Sequence, residues 1–467
     1  MDVHEHETQE DSGAPAAARD EAGYFSSAFV EAVGDAIENR DRKTLRDLCQ
    51  DLHNADLADL IEQLDQERRT QLIQLLGRDF DFAVLTEVDD TVREQILEAL
   101  PVAAVAAGLR DLDSDDAVYI LEDLADQEQE EILARIPEFV RVRLRRSLDY
   151  PEETAGRRMQ SDVIAVPPFW DVGRTIDYMR ESDDLPDEFY ELIVVDPSFR
   201  PVGTVPLNRL LRTKRPVRID EIMDTPIRTI RGDLDQEEAA RIFERYNLVS
   251  AAIVDDSNRL VGVIHHDDII DVIEEEAEED IRGLVGLGDE EISDNFLYTA
   301  RSRFPWLFIN LWTAMLAASV IGLFDESLEK MVALAVLMPI VASMGGNAGT
   351  QTMTVTVRAL ATRELGGFNK RRIFWRELLV ALLNGVTLAI LIGIIAALWF
   401  SNAELGGVIG AALVFNLLVA GSAGFVVPVL LDRFGADPAV ASSVFLTTVT
   451  DVVGFFAFLG LATLLLL

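Results

Sequence analysis

Cysteine and lysine are both scarce in this chain. A single cysteine, Cys49, excludes a disulfide within the chain. Its place in an amphipathic pattern with Leu45, Leu48 and Leu52 predicts a small buried core residue. Because only four lysines occur, at positions 43, 214, 330 and 370, arginine supplies nearly all of the positive charge.

Positive charge of any kind is sparse before residue 301. Residues 1–300 contain 31 Lys/Arg and 72 Asp/Glu, whereas residues 301–467 contain 10 and 9. Such a polyanionic part repels nucleic acid and anionic lipid, and it attracts cations. Dense carboxylates also fit a salt-rich cytoplasm, where they stay hydrated and their mutual repulsion is screened. Acidity at any one position therefore has two explanations, cation binding and adaptation to salt.

Long apolar runs are also missing before residue 301. Residues 1–24 are polar, acidic and Ala-rich, which predicts a disordered tail and no signal peptide. Residues 25–150 have helical periodicity and a 24-residue repeat, which predicts a helical N-domain built as a small α-solenoid. An ordinary helical bundle is the alternative. The repeat comprises Gln63-Leu64-Asp65, Glu87-Val88-Asp89 and Asp111-Leu112-Asp113, with Leu76, Leu100 and Leu124 at the same spacing.

Residues 151–266 change to strands that alternate with helices. Leu192–Asp196 and Pro201–Val205 form one strand–turn–strand unit, which Ala251–Asp255 and Leu260–Ile264 repeat. This pattern resembles a tandem pair of cystathionine-synthase-type (CBS) domains. Such domains often bind adenosine nucleotides, ATP among them, through a small hydroxyl residue and an Asp after the second strand. Here His265 occupies the hydroxyl position, so the sequence leaves nucleotide binding open without favouring it.

Residues 267–300 form a predicted acidic connecting segment. Its periodicity predicts a helix from Asp267 to Leu284 with one apolar stripe. Six of the seven residues from Glu274 to Asp280 are acidic, a density above the acidic background of this chain. The segment therefore concentrates negative charge immediately before the apolar part.

Residues 301–467 supply the long apolar runs. Five segments each have the roughly 20 apolar residues that are needed to cross a hydrocarbon core of about 30 Å. They are Phe304–Phe324, Met331–Val357, Leu378–Phe400, Leu405–Leu431 and Ala439–Leu467. Arginines cluster before the first span, between the second and third, and after the fourth, which predicts a cytoplasmic N-terminus and an outside C-terminus in the inner membrane.

The predicted fold class is a multi-domain α-helical membrane protein. It combines a cytoplasmic α-solenoid N-domain, an α+β tandem CBS pair, an acidic connecting helix and a five-helix transmembrane domain at residues 301–467.

Asp451 lies inside the last predicted span. An ionised carboxylate there costs about 2.5–3.5 kcal/mol even on lenient insertion scales, so it survives beside water, a cation or a partner. No Lys, Arg or His lies in the interior of any span to pair with it. Cation coordination in a pore is the favoured interpretation, and a neutral buried acid is the alternative.

The second predicted span contains Pro339 and, from Gly345 to Gln351, three glycines. Proline and glycine predict a broken or thinned helix, which is tolerated at membrane depth only where it lines a cavity or is buried in protein. Freed carbonyls, with the side chains of Asn347, Thr350 and Gln351, then offer neutral oxygens to a hydrated ion. Close helix packing through small residues is the alternative.

Three motifs together resemble the MgtE family of magnesium channels. Pro339–Gln351 resembles its membrane signature, Asp437–Ala441 leading into Thr450-Asp451 resembles the start of its last span, and Tyr150–Gly156 resembles its junction between N-domain and CBS pair. The similarity extends from about residue 25 to the end of the chain, with the domains in the same order.

The resemblance implies a homodimer in the lipid bilayer whose pore lies on the two-fold axis, with Asp451 of each copy facing one hydrated Mg²⁺. It implies that the acidic helix is a plug and that acidic side chains around it bind regulatory Mg²⁺. The implied pore residues are Asp451, Asn347, Gly346, Thr350, Gln351 and Thr450. The implied regulatory ligands are Asp268, Asp271, Glu276, Glu279, Asp280, Asp437, Glu237 and Asp115.

The charges suggest how such a channel is gated. Like charges about 4 Å apart repel by roughly 1 kcal/mol in water and about 4 kcal/mol at an effective dielectric of 20. Mg²⁺ relieves this repulsion while it retains several waters. The sequence therefore predicts Mg²⁺ uptake through a channel that closes when cytoplasmic Mg²⁺ neutralises the acidic faces.

Three other function classes compete with this prediction. An intramembrane enzyme needs a second carboxylate or a base near a nucleophile, and the spans contain one deep acid and no His or Cys. The chain is therefore not expected to be an enzyme. Coupled carriers and exporters usually show internal repeats and further titratable groups in the spans. A channel for Mn²⁺, Co²⁺ or Ca²⁺ stays open as an alternative, since oxygen ligands suit several divalent ions.

Overall fold

The computed structural model describes residues 18–19, 25–182, 185–186, 189–288, 296–365 and 369–467. The chain divides into two compact units, Met1–Glu274 and Glu275–Leu467. Most of the predicted tail, and residues 289–295 of the predicted connecting segment, lie outside the described residues.

Short helices that enclose one hydrophobic core make up the first part of the first unit. They are α1 (Ser27–Glu38), α2 (Arg42–Cys49), α3 (Asn54–Gln63), α4 (Gln66–Leu76), α5 (Asp90–Ala99), α6 (Val102–Arg110), α7 (Ser114–Glu122), α8 (Asp126–Leu133) and α9 (Glu138–Leu148), with 3₁₀ turns at Gly77–Asp79 and Phe82–Thr86. Helices near each other in sequence pack together, as α1 does on α2 and α4, which agrees with a solenoid. Cys49 is buried in this core, as its pattern predicts.

Each copy of the 24-residue repeat places an aspartate at the start of a helix. Asp65, Asp89 and Asp113 occupy the N-cap positions of α4, α5 and α7. Aspartate is favoured there because its side chain can accept a hydrogen bond from a free N–H of the first turn. The Asp65 carboxylate accepts one from the backbone N–H of Arg68 at 2.9 Å.

The rest of the first unit contains two three-stranded sheets of the same topology. In each, a parallel pair is followed by an antiparallel strand, in the orders β1-β2-β3 and β4-β5-β6. The elements are β1 (Ala165–Val166), α10 (Val172–Glu181), β2 (Glu191–Val195), β3 (Pro201–Pro206), α11 (Leu207–Arg212), α12 (Ile219–Ile222), β4 (Thr229–Arg231), α13 (Gln236–Tyr246), β5 (Ser250–Val254) and β6 (Leu260–His265). They are followed by α14 (His266–Val285), which begins in the first unit and ends in the second. Both antiparallel pairs shift register near the end of the middle strand, at Val194/Val195 and at Ile253/Val254. The predicted internal duplication is confirmed.

Five helices among the described residues are long and apolar enough to cross a membrane. They are α15 (Phe296–Gly322), α17 (Ala333–Ala361), α18 (Lys370–Trp399), α19 (Ala403–Arg433) and α20 (Pro438–Leu465); the short α16 (Asp325–Lys330) lies between the first two. Helix α19 packs against α17, α18 and α20, whereas α15 packs against α20. Since α19 has the largest buried share of the five, it forms the centre of this unit.

The predicted break at Pro339 is wrong, because α17 runs without interruption through the whole motif. Gly345 and Gly349 let α17 approach α19 and α20 closely, and this contact holds the helix together around the proline. A Cβ at Gly349 would lie 2.8 Å from a methyl group of Leu446, and one at Gly424 would lie 2.6 Å from the carbonyl oxygen of Gly349. Small-residue packing, the alternative interpretation, therefore explains these glycines. Gly346 is different, since nothing lies within 4 Å of its missing side chain.

Candidate functional site

Asp451 lies on α20 with its side chain half-buried. Among the residues that the structure describes, no hydrogen bond or ion pair holds its carboxylate. Thr447, one turn earlier, is exposed, and Ser443, two turns earlier, is half-buried. Because residues four apart share a helix face, α20 presents a polar strip that ends at an unpaired acid.

A second polar strip follows the outer face of α17. The side chains are exposed and recur every three or four residues, at Ser343, Asn347, Thr350, Gln351 and Thr354. Lipid offers no partner for amides and hydroxyls, so such a face is costly unless it meets water or protein. Since α17 packs against α20, the two strips belong to neighbouring helices.

Of the predicted pore residues, Thr450 points elsewhere. Its side chain is fully buried, and its hydroxyl donates to the backbone carbonyl of Thr447 at 3.0 Å. Asn347, Thr350 and Gln351 are exposed, while Gly346 faces open space. Thr450 therefore serves the packing of α20, while the other predicted residues present polar groups or backbone outward.

Two predicted regulatory acids meet in the first unit. Asp115 lies in the first turn of α7 and Asp268 in the first turn of α14, and the two carboxyl groups lie close enough to influence each other. Asp268 also accepts from the backbone N–H of His265 at 3.0 Å. Burial raises the pKa of Asp268 to about 7 and raises the pKa of Asp115 well above its usual value. Each carboxylate therefore disfavours ionisation of the other when no cation lies between them.

Further acids surround this pair. Burial raises the pKa of Asp116 to about 6, with neighbouring acids adding to the effect. Burial, followed by the charge of Glu87, raises the pKa of Asp271. The sequence reasoning missed Asp116 and Glu87, although Asp116 adjoins Asp115 and Glu87 belongs to the 24-residue repeat. A search of the described residues finds no group of three or more His, Cys, Asp or Glu side chains close enough to hold a metal ion.

The second unit contains another acid pair. Burial and then the charge of Asp437 raise the pKa of Asp280 on α14. Asp437 is the N-cap of α20 and accepts from the backbone N–H of Ala439 at 2.7 Å. Gly283, one turn after Asp280, lies against Ala439 and Val440, since a Cβ there would be 3.3 Å from each side chain. The end of α14 thus packs on the start of α20 and brings two like charges together.

The remaining predicted ligands lie on α13 and α14. Glu237 lies 3.6 Å from Arg241 on its own helix, α13. Glu276 is half-buried and Glu279 is exposed on α14. His265 is buried, and its Nε2 lies 3.1 Å from the side-chain oxygen of Gln160.

Comparison with known proteins matches three regions of the chain to family models. Residues 338–461 match the MgtE model, described as a divalent cation transporter, residues 52–153 match the MgtE intracellular N domain, and residues 219–275 match the CBS domain. The magnesium transporter MgtE of Thermus thermophilus is 33% identical over 444 residues, which cover 93% of this chain and 98% of the relative. This chain belongs to the MgtE family.

Two further similarities are with other MgtE proteins. The magnesium transporter MgtE of Bacillus subtilis is 27% identical over 422 residues, 90% of this chain and 94% of the relative. A crystal structure of the cytosolic domain of the Mg²⁺ channel MgtE in complex with ATP is 27% identical, with a TM-score of 0.48, and covers 52% of this chain and 99% of that chain. As an MgtE protein with five apolar helices, the chain is a multi-pass membrane protein of a transporter family and not of an enzyme family.

Proposed function

We propose that this protein is a Mg²⁺ channel that mediates magnesium uptake and is closed by cytoplasmic Mg²⁺. The observation that carries the proposal is the carboxylate of Asp451 on a helix of the membrane unit, for which the described residues supply no hydrogen bond or ion pair. The relatives that extend over nearly the whole chain are named magnesium transporters, which favours Mg²⁺ among the divalent cations.

The polar strips of α17 and α20 support a pore between two copies of the chain. In a single copy these strips are exposed at membrane depth, where lipid cannot satisfy them. A two-fold axis beside them covers the strips and places two Asp451 carboxylates across a water-filled path. Two carboxylates with neutral amide and hydroxyl oxygens suit a divalent ion that keeps most of its water.

The acid pairs support closure by Mg²⁺ on the cytoplasmic side. Asp115–Asp268 and Asp280–Asp437 each hold two carboxyl groups together against their mutual repulsion. A divalent cation that bridges them stabilises the compact arrangement, and its loss favours separation. Positively charged side chains at the start of α18 support a cytoplasmic location for the acidic part of the protein, because such residues are enriched on the cytoplasmic side of membrane helices.

Reconstitution tests the proposal. Full-length protein in lipid vesicles that contain a Mg²⁺-sensitive dye is expected to admit Mg²⁺, and Asp451→Asn is expected to reduce that flux by at least about tenfold, because the isosteric amide removes the charge facing the ion. Asp432→Asn, a carboxylate at the end of α19 that lies 3.9 Å from Lys370, is the matched control and is expected to conduct normally. Equal Mg²⁺ fluxes for wild type and Asp451→Asn would refute the proposal.

The same vesicles separate the competing transport classes. A channel gives a current that reverses at the equilibrium potential of Mg²⁺, whereas a coupled carrier or exporter depends on a second ion. Replacing Mg²⁺ by Mn²⁺, Co²⁺ or Ca²⁺ measures selectivity, since oxygen ligands alone do not separate these ions. Uptake of Ca²⁺ or Mn²⁺ in preference to Mg²⁺ contradicts the proposed substrate.

Adenine-nucleotide binding at the CBS pair stays a prediction that the sequence pattern does not favour. His265 occupies the hydroxyl position, and its ring is buried against Gln160 and Tyr190. Titration calorimetry with ATP tests it directly, with His265→Ser as the variant that restores the usual residue type. No heat from either protein would exclude this site.

A further inference from the structure

Asn416 is the polar side chain at the crossing of three membrane helices. It lies on α19, is fully buried, and donates from Nδ2 to the carbonyl oxygen of Val341 on α17 at 2.9 Å. The same amide lies against Gly345 on α17 and Gly454 on α20. One side chain therefore touches both helices that carry the polar strips.

The two glycines make room for this amide. A Cβ at Gly454 would lie 2.7 Å from Nδ2 of Asn416, and a Cβ at Gly345 would lie closer still. Real Cβ atoms do not approach a nitrogen this closely, so neither position accepts alanine while Asn416 keeps its place. The crossing is thus built around the asparagine.

Packing alone does not account for an asparagine at this point. In a continuous helix the Val341 carbonyl already accepts from the N–H four residues later, so Asn416 is an additional donor. Its Oδ1 is buried, and within the described part of the chain it has no hydrogen-bond partner. A leucine of similar size would avoid that unsatisfied acceptor.

The neighbours of the crossing indicate what the amide controls. Gly345 is two residues from Asn347, on the helix with the exposed polar strip, and Gly454 is three residues from Asp451. We infer that Asn416 is a positioning residue for ion passage, which fixes the spacing between the α17 strip and Asp451 and thereby the fit of a hydrated divalent cation. The inference rests on the proposed channel function and extends it to a residue that contacts neither the ion nor the exposed face.

Asn416→Leu tests the role, because it keeps the branching and the number of heavy atoms and removes both the donor and the unsatisfied acceptor. We expect the half-saturating Mg²⁺ concentration for vesicle uptake to rise, and the preference for Mg²⁺ over Ca²⁺ to fall, by about 2- to 10-fold, the worth of one hydrogen bond. The thermal midpoint of the full-length protein is expected to stay equal or to rise. Leu413→Val, a buried change one turn earlier on α19, is the control and should leave both transport parameters unchanged.

A size exchange separates positioning from packing. Gly454→Ala alone is expected to lower the thermal midpoint, and adding Asn416→Ala removes the clash and should restore it. If the double variant also recovers wild-type half-saturation and ion preference, or if Asn416→Leu transports like wild type, the amide only fills space and the inference is overturned. If the double variant does not fold, the Asn416→Leu result decides alone. Absence of Mg²⁺ flux in the wild type would instead refute the channel proposal itself.

Discussion

At the scale of single residues, the most informative groups are acids held away from water or next to one another. Asp451 was identified from sequence because a lone carboxylate in an apolar run is rare and costly. Asp115 and Asp268 were identified only through a family resemblance, since α7 and α14 are distant in sequence and no periodicity predicts their contact. Asp116 was missed for the same reason, because its burial depends on tertiary packing.

The buried acids Asp115 and Asp268 predict a pH dependence in the absence of Mg²⁺. Their pKa values are raised in the folded protein, so the folded state binds more protons than the unfolded state between about pH 4 and pH 7. Stability of the first unit should therefore increase as the pH falls through this window and decrease as it rises. Protease resistance of the metal-free protein, measured from pH 7.5 to 5.5, checks this expectation.

Asp268→Asn supplies the matched variant for that experiment. The amide replaces an acid that is costly to ionise, so we expect the metal-free thermal midpoint at pH 7.5 to rise by about 2–4 °C and the pH dependence to weaken. The exposed Asp126→Asn should change neither. An unchanged pH profile in Asp268→Asn would show that other groups control it.

Arg93 is the opposite case, a cation buried among its partners. Its side chain is 1% exposed, pairs with Asp90 and with Asp123 at 2.5 Å, and lies 4.5 Å from the ring centre of Tyr119. Arg93→Ala leaves a cavity and removes a buried cation from two partly exposed carboxylates, so we expect a loss of about 2–5 kcal/mol of stability in the N-domain. Chemical denaturation followed by far-UV circular dichroism measures this loss. The control is Arg110→Ala, which removes an exposed Arg–Asp pair and should cost less than about 1 kcal/mol.

At the scale of elements, local signals predicted much of the fold. Asp65, Asp89 and Asp113 predicted repeated units because each begins a helix, and the duplicated strand pairs predicted the two sheets. The break predicted at Pro339 failed because helix packing, which no single segment encodes, overrides the local preference of proline and glycine. The same residues also suggested close helix packing, but periodicity could not distinguish this packing from a broken helix.

The glycines of α19 allow a direct test of that packing. Gly424→Ala places a methyl group 2.6 Å from the backbone oxygen of Gly349, which cannot move without displacing α17. We expect a clear fall in the thermal midpoint and in the folded yield. Gly407→Ala, in the same helix with nothing within 4 Å, should instead be neutral or stabilise the protein by about 0.5–1 kcal/mol. Equal stability of the two variants would contradict the packing described for α17 and α19.

At the scale of the whole molecule, the proposed channel has conduction in its membrane helices and regulation by Mg²⁺ in its acidic first unit. Neutralising Asp268 and Asp271 together is expected to weaken closure at high cytoplasmic Mg²⁺ without abolishing transport, because the conducting helices are untouched. The measurement is flux against internal Mg²⁺, with exposed Asp126→Asn as the control. If the double variant conducts normally and still shuts at high Mg²⁺, these residues are not sensors.

Helix α14 has a consequence of its own. Its last turns lie in the second unit, where Gly283 contacts Ala439 and Val440 and where the charge of Asp437 acts on Asp280. Salt screens the repulsion between these two carboxylates, so the contact between the end of α14 and the start of α20 should tighten as ionic strength rises, even without Mg²⁺. Asp437→Asn should remove this salt dependence, which protease resistance of the metal-free protein at low and at high potassium chloride measures.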